Sequence, residues 1–171
     1  MPRETVALAG GELVFETGRI ARQAHGSVLL RYRETVVLAT AVAADEPRPG
    51  IDFFPLTVEY RERMAAAGRI PGSFQRREGR ISDAEVLASR LADRSIRPLF
   101  PATARQETQV LLTVLSADAD VEPESLAIAG AAAALHLSDI PWAGPIAGVR
   151  IARTHGEWTL FPTRRERHAA E

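Results

Sequence analysis

Residues 68–101 read GRIPGSFQRREGRISDAEVLASRLADRSIRPLFP, a Gly/Pro/Arg loop that opens directly into a helix. Ser82-Asp83-Ala84-Glu85 is a capping-box pattern, in which the Ser82 hydroxyl accepts from the Glu85 amide and the Glu85 carboxylate reaches back to the Ser82 amide. The helix is therefore predicted to begin at Asp83. Pro98 limits it, because the residue before a proline is pushed out of the α region. Val86, Leu87, Leu91 and Ile96 are expected to form its buried stripe, while Arg90, Arg94 and Arg97, at i, i+4 and i+7, share another face.

Charge is concentrated around this stretch. Between Arg61 and Arg105 ten arginines stand against five acids, a local balance of +5, whereas the whole chain is −1 and the remainder therefore carries −6. A focused cationic patch on a near-neutral chain points to a polyanionic partner. All 21 basic residues are Arg, which equips the patch with planar, bidentate phosphate binders that also stack on bases.

Composition narrows the remaining classes. The 171 residues, 46% hydrophobic and 25% charged, are enough for about one domain with its own core. The absence of cysteine excludes disulfides and thiolate metal sites. No apolar run is long enough to cross a bilayer and the start, MPRETVALAG, has no signal-peptide pattern, so a cytoplasmic location without membrane contact is expected. His25, His136, His155 and His168 lack ligand spacing and read as surface or core histidines. Asp118, Asp120, Glu122 and Glu124 read as a loop followed by the acid-loaded first turn of a helix rather than a cation site. No GxGxxG or P-loop occurs, and Ser27 and Ser73 have no base at motif spacing, which leaves no case for a hydrolase triad.

Outward from the loop, the N-terminal side reads as strands. Thr5–Leu8 and Glu12–Thr17 flank Gly10-Gly11 as a hairpin, and Ser27–Tyr32 and Thr35–Val42 form a second hairpin expected to pack on the first. Phe53–Tyr60 is a further strand. On the C-terminal side come an apolar strand, Gln109–Leu115, an alanine-rich and buried helix, Pro123–Leu137, and a last hairpin of Ile146–Ala152 and Trp158–Phe161 around His155-Gly156. Residues 1–163 form the domain, and the charged tail 164–171, without an apolar stripe, is expected to fray. This order predicts an α+β fold, a mixed β-sheet with helices packed on one face.

Several long blocks carry a resemblance. Ile51–Tyr60 (IDFFPLTVEY), Ala67–Gly72 (AGRIPG), Arg77–Arg80 (REGR) and Arg94–Pro101 (RSIRPLFP), flanked by Gly18–Ala24, Gly26-Ser27, Leu137–Pro141 and Gly144–Ile146, resemble the first core domain of the bacterial polynucleotide phosphorylases, members of the RNase PH-like family. The resemblance implies the RNase PH-like (ribosomal protein S5 domain 2-like) fold, C-terminally incomplete here. It also implies a homotrimeric ring that degrades single-stranded RNA processively from 3′ to 5′, uses inorganic phosphate to release nucleoside diphosphates in mRNA degradation, and runs in reverse to add nucleotides. In that family each subunit joins two RNase PH-like cores to KH and S1 RNA-binding domains. The phosphate site and the carboxylate-bound Mg²⁺ or Mn²⁺ belong to the second core, so this chain is expected to bind no cofactor and to be inactive alone.

By the same resemblance Phe74, Arg76 and Arg77, followed by Arg80, match the loop that narrows the RNA channel, with the aromatic stacking on a base and the arginines gripping phosphates. Arg90 and Arg94 match helix arginines along the RNA path beside the second core, with Arg97 on the same face. Three positions depart from the pattern: Gln75 replaces a second aromatic, Ser95 a frequent proline, and Phe161 the Asn of an Asn-Pro-Thr. Arg164–Glu171 matches nothing that follows in the family.

Blander readings stand beside these. The arginine face is equally a solvated surface laced by Glu85 and Asp93, Phe74 a buried loop anchor, and Arg76-Arg77 partners of Glu78. The adjoining Arg-rich loop and the polar setting of Phe74 favour RNA contact. The alternative function is a non-catalytic RNase PH-like subunit that binds RNA or supports assembly in an exosome-like ring. A weaker third, an S5-like RNA-binding domain, shares the layering without the Arg69–Pro101 blocks.

Overall fold

The alternating apolar segments pair as one six-stranded mixed sheet, seen in a computed structural model that describes residues 2–8, 10–72 and 74–170. Ser73 and Glu171, both weighed above, lie outside the described residues. The strands are β1 (Arg3–Leu8), β2 (Gly11–Thr17), β3 (Gly26–Tyr32), β4 (Thr35–Ala43), β5 (Leu56–Glu62) and β6 (Thr108–Ser116), in the order β1-β2-β3-β4-β6-β5. All neighbours are antiparallel except β5 and β6, which run parallel because helix α1 (Asp83–Ile96) carries the chain between them. The second hairpin extends the first edge to edge, through Leu13↔Tyr32 to Thr17↔Val28, instead of packing on it.

β5 starts at Leu56, three residues later than the sequence pattern predicts. Pro55 has no amide to give a ladder, and the Phe54 ring leaves the sheet line to meet Phe100 at 4.7 Å between centroids.

Helix α2 (Pro123–Leu137) is the centre of the core. One side rests on Val28, Leu30, Val37, Ala39, Val110 and Leu112 of the sheet, and the other is covered by α1 and by the extended segment 141–150. That double cover explains why the helix is apolar all round. The approach is close: a Cβ added at Gly26 would lie 1.9 Å from the Ala134 carbonyl oxygen, and one at Gly148 would lie 2.5 Å from the Ser125 carbonyl oxygen. The covering segment also finishes α1. The Trp142 indole donates to the Ile96 carbonyl (3.1 Å) and the Ala143 amide to the Leu99 carbonyl (2.8 Å), which satisfies acceptors that a helix end leaves open. The opposite face of the sheet carries no helix among the described residues, and Leu111 and Leu115 there stay half-exposed.

The last hairpin, β7 (Ile151–Thr154) and β8 (Glu157–Leu160), forms a separate two-stranded sheet. Residues 164–168, expected to fray, instead form a short helix, α3 (Arg164–His168). Its start is a second capping box, with Thr163 Oγ1 accepting from the Glu166 amide and Glu166 accepting from the Thr163 amide at 2.7 Å.

Candidate RNA interface

The α1 N-terminus forms as the sequence predicts. Ser82 Oγ accepts from the Glu85 amide (3.2 Å) and Glu85 Oε2 accepts from the Ser82 amide (2.8 Å), while the chain leaves α geometry after Ile96 and passes through a 3₁₀ turn, Arg97–Leu99, containing Pro98. Glu85 does more than cap. Its Oε1 accepts from the Glu62 amide at 3.0 Å, and Ser89 Oγ, one turn on, accepts from the Tyr60 amide at 2.9 Å. Polar side chains of α1 thus occupy the open edge of β5, where unpaired strand amides would otherwise invite another strand.

Burial of the Glu85 carboxylate opposes its ionisation, but the Ser82 and Glu62 amides, the Ser82 hydroxyl and the nearby Arg61 outweigh it and hold the group below the usual carboxylate range. A depressed folded-state pKa contributes stability that is present above the unfolded value, about 4.3, and is lost as pH falls through the lower folded one. Glu85→Gln is therefore expected to unfold at lower urea than the parent at pH 7 and to lose less of its midpoint between about pH 5 and 3. Parallel pH profiles for the two proteins would remove Glu85 from this role.

The buried stripe of α1 differs from expectation. Ala88, Ala92 and Ile96 are buried, whereas Val86, Leu87 and Leu91 are exposed at 44%, 66% and 49%. This stripe faces α2 and the β5 edge, the elements that α1 packs against. The outward side consequently presents aliphatic side chains together with exposed Arg90 and Arg94.

Arg97 is turned back onto the chain. Its Nε and Nη2 meet Asp93 Oδ2 and Oδ1 at 3.0 and 2.6 Å, and Nη2 also donates to the Leu56 carbonyl at 3.0 Å. It ties the helix end to the start of β5. Arg105, at the far end of the sheet, braces its own loop through the Ala102 and Ala104 carbonyls.

The loop before α1 follows the C-terminal end of β5. Phe74 is fully exposed, Arg76, Arg77 and Arg80 are exposed, and Arg76 holds a left-handed φ of 53°. Glu78 is taken up by Arg63 Nη1 (2.6 Å) and the Met64 amide (3.0 Å). The Arg63 hydrogen bond is the main reason its carboxyl sits below the usual range, with the Met64 amide and Arg61 adding to it against a smaller burial cost. The loop is thus anchored at its acid while its ring and cations face out. Arg61, Arg80, Glu78 and Glu85 line a hollow of about 170 Å³ between loop and helix. Among the described residues no three His, Asp or Glu side chains converge as a metal set.

Two features were missed by the sequence reading. One is the exposure of Leu87 and Leu91, signalled only by Ala88 and Ala92 at i, i+4. The other is a basic groove at β7, β8 and α3.

The sequence model of the 3′ exoribonuclease family, domain 1 (RNase PH), matches residues 11–141. Similar proteins include the polyribonucleotide nucleotidyltransferases of Thermomicrobium roseum, 60% identical over 93% of this chain and 20% of that protein, and of Anaeromyxobacter dehalogenans, 54% identical over 99% of this chain and 23% of that protein. The chain spans about a fifth of the length of these curated relatives. In fold it is similar to rice Rrp46 (TM-score 0.67, 20% identity, 99% of this chain and 72% of that one). It is also similar to a chain of the Archaeoglobus fulgidus exosome with RNA bound to the active site (TM-score 0.63, 16% identity, 99% and 69%).

Proposed function

Because the chain belongs to the RNase PH family of 3′ exoribonucleases, as its domain 1, we propose that it is the RNA-guiding first core of a polyribonucleotide nucleotidyltransferase. The observation that carries this reading is that a fully exposed Phe74 sits in an arginine loop leading into a helix that exposes Arg90 and Arg94. An aromatic platform beside guanidiniums is the chemistry of sequence-tolerant single-strand binding, with stacking on the base and bidentate contacts to phosphates. Phe74, Arg76, Arg77, Arg80, Arg90 and Arg94 contact the RNA in this reading. Arg97, committed to Asp93 and Leu56, positions the helix.

The reaction is phosphorolysis: inorganic phosphate attacks the terminal phosphodiester, the bond to the preceding ribose oxygen breaks, and a nucleoside diphosphate leaves. Among the described residues no three His, Asp or Glu side chains form a set for Mg²⁺ or Mn²⁺. Metal and phosphate are assigned to a second RNase PH-like core. The exposed Val86, Leu87 and Leu91 supply an apolar surface for that core to cover, and three such pairs make the ring.

The test is phosphate-dependent RNA degradation by this chain, alone and mixed with a second core made from the Thermomicrobium roseum relative, with complex mass read by light scattering. Nucleoside diphosphate release and a trimeric complex in the mixture alone are expected. Release by the chain alone would overturn the division of labour, and a complex without release would favour a non-catalytic ring subunit.

A further inference from the structure

The β7–β8 hairpin and α3 build a second cationic and aromatic surface outside the loop and helix above. Across the hairpin Arg153 pairs with Trp158 and Ile151 with Leu160, so all four share one face. Trp158 is 70% exposed, and the Arg153 guanidinium stands 5.6 Å from its ring centroid. Beside them an open groove of about 750 Å³ is lined by Arg150, Arg153, Trp158, Arg167 and His168.

Acids neutralise this surface only in part. Residues 150–168 contain five arginines and two acids, and Glu122, which pairs with two of the arginines, brings the balance from +3 to +2. Glu166 is occupied by the Thr163 cap, and Glu157 is exposed at the hairpin turn. Glu122, at the start of α2, forms ion pairs with both Arg150 and Arg167 and thereby fixes two guanidiniums at the groove. Each retains further N–H donors, since a guanidinium has five.

We infer that this groove is a second contact for single-stranded RNA, with Trp158 stacking on a base while Arg150, Arg153 and Arg167 hold the flanking phosphates. An exposed indole with a planar cation over it and further cations within one groove suits a base and its phosphates, whereas a lipid surface needs a broad apolar face without this groove. Position supports the assignment. Phe161, just after β8, packs on Tyr32 at the end of β3, and the Phe74 loop follows the end of β5. The strand directions place both ends on one side of the sheet, three strand spacings or ~14 Å apart. The inference adds a contact to the RNA-guiding reading above.

The experiment titrates the 171-residue chain with a labelled oligoadenylate of about ten nucleotides, a length within usual single-strand site sizes, by anisotropy and by tryptophan emission. The difference between parent and Trp158→Phe isolates the Trp158 signal from that of Trp142. Expected are quenching of Trp158, roughly tenfold weaker binding for Trp158→Ala, and a salt slope lower by ~0.7 for Arg153→Ala, with urea midpoints unchanged because both side chains are exposed. No quenching, or unchanged affinity and slope in both variants, would overturn the inference. So would equal competition by duplex RNA, or a blue shift with anionic phospholipid vesicles and none with RNA. Arg90→Ala with Arg94→Ala in the same assay separates the two readings: weakening there but not at Trp158 sinks only the second contact, and the reverse sinks only the first.

Discussion

With Arg90 and Arg94 both replaced by alanine, the chain assembled with a second core is expected to bind single-stranded RNA roughly 30- to 160-fold more weakly at low salt. The size follows from losing two charge-assisted contacts of about 1–1.5 kcal/mol each. The plot of log affinity against log salt is expected to flatten by ~1.4 units, because each neutralised phosphate of a single strand contributes about 0.7. Ring mass should not change, since both side chains are exposed and neither belongs to the buried stripe of Ala88, Ala92 and Ile96. Unchanged affinity and slope would return this helix face to ordinary solvated surface, while a changed ring mass would place the arginines in assembly.

Gly26→Ala is expected to cost about 3 kcal/mol of folding stability, the upper range for overpacking. The reason is proximity rather than backbone freedom. The added methyl would sit 1.9 Å from the Ala134 carbonyl oxygen and 2.9 Å from its carbon, inside a helix pinned between sheet and covering segment. Backbone atoms there cannot swing aside as the end of a long side chain does. Gly72→Ala, where an added Cβ meets nothing within 4 Å, is the control and should stay within about 0.5 kcal/mol of the parent. Urea midpoints at constant m-value measure both, and a Gly26→Ala midpoint near that of the control would show that α2 and β3 do not approach so closely.

The two long helices, the first two hairpins and the layer order are legible in the chain because their causes are local, whereas the last hairpin's first strand, expected at Ile146–Ala152, lies at Ile151–Thr154. Ser82 and Glu85 are three residues apart, Pro98 acts on its own neighbour, and the alternation of Thr35–Val42 repeats every second residue. The family is legible for a related reason, since its blocks are contiguous. The candidate interface was legible in part. Phe74 and the loop arginines are exposed as a polar, Gly/Pro-rich segment suggests, but their meeting with RNA rests on resemblance and on the tests above.

What the sequence by itself determined is where elements begin and end, and which residues are available as cations and stacking rings. Only the tertiary structure decided which of them face outward. Leu87 and Leu91 carry more apolar surface than Ala88 and Ala92, so the sequence pattern turns them inward, yet the stripe that the fold buries is Ala88, Ala92 and Ile96. Arg97 leaves the arginine face because the Leu56 carbonyl, 41 residues away in sequence, lies within 3.0 Å. Arg167 belongs to a groove rather than a frayed tail because Glu122, 45 residues earlier, pairs with it at the start of α2. Contacts between such distant residues follow from how layers stack and how closely they approach, and no local pattern encodes that distance.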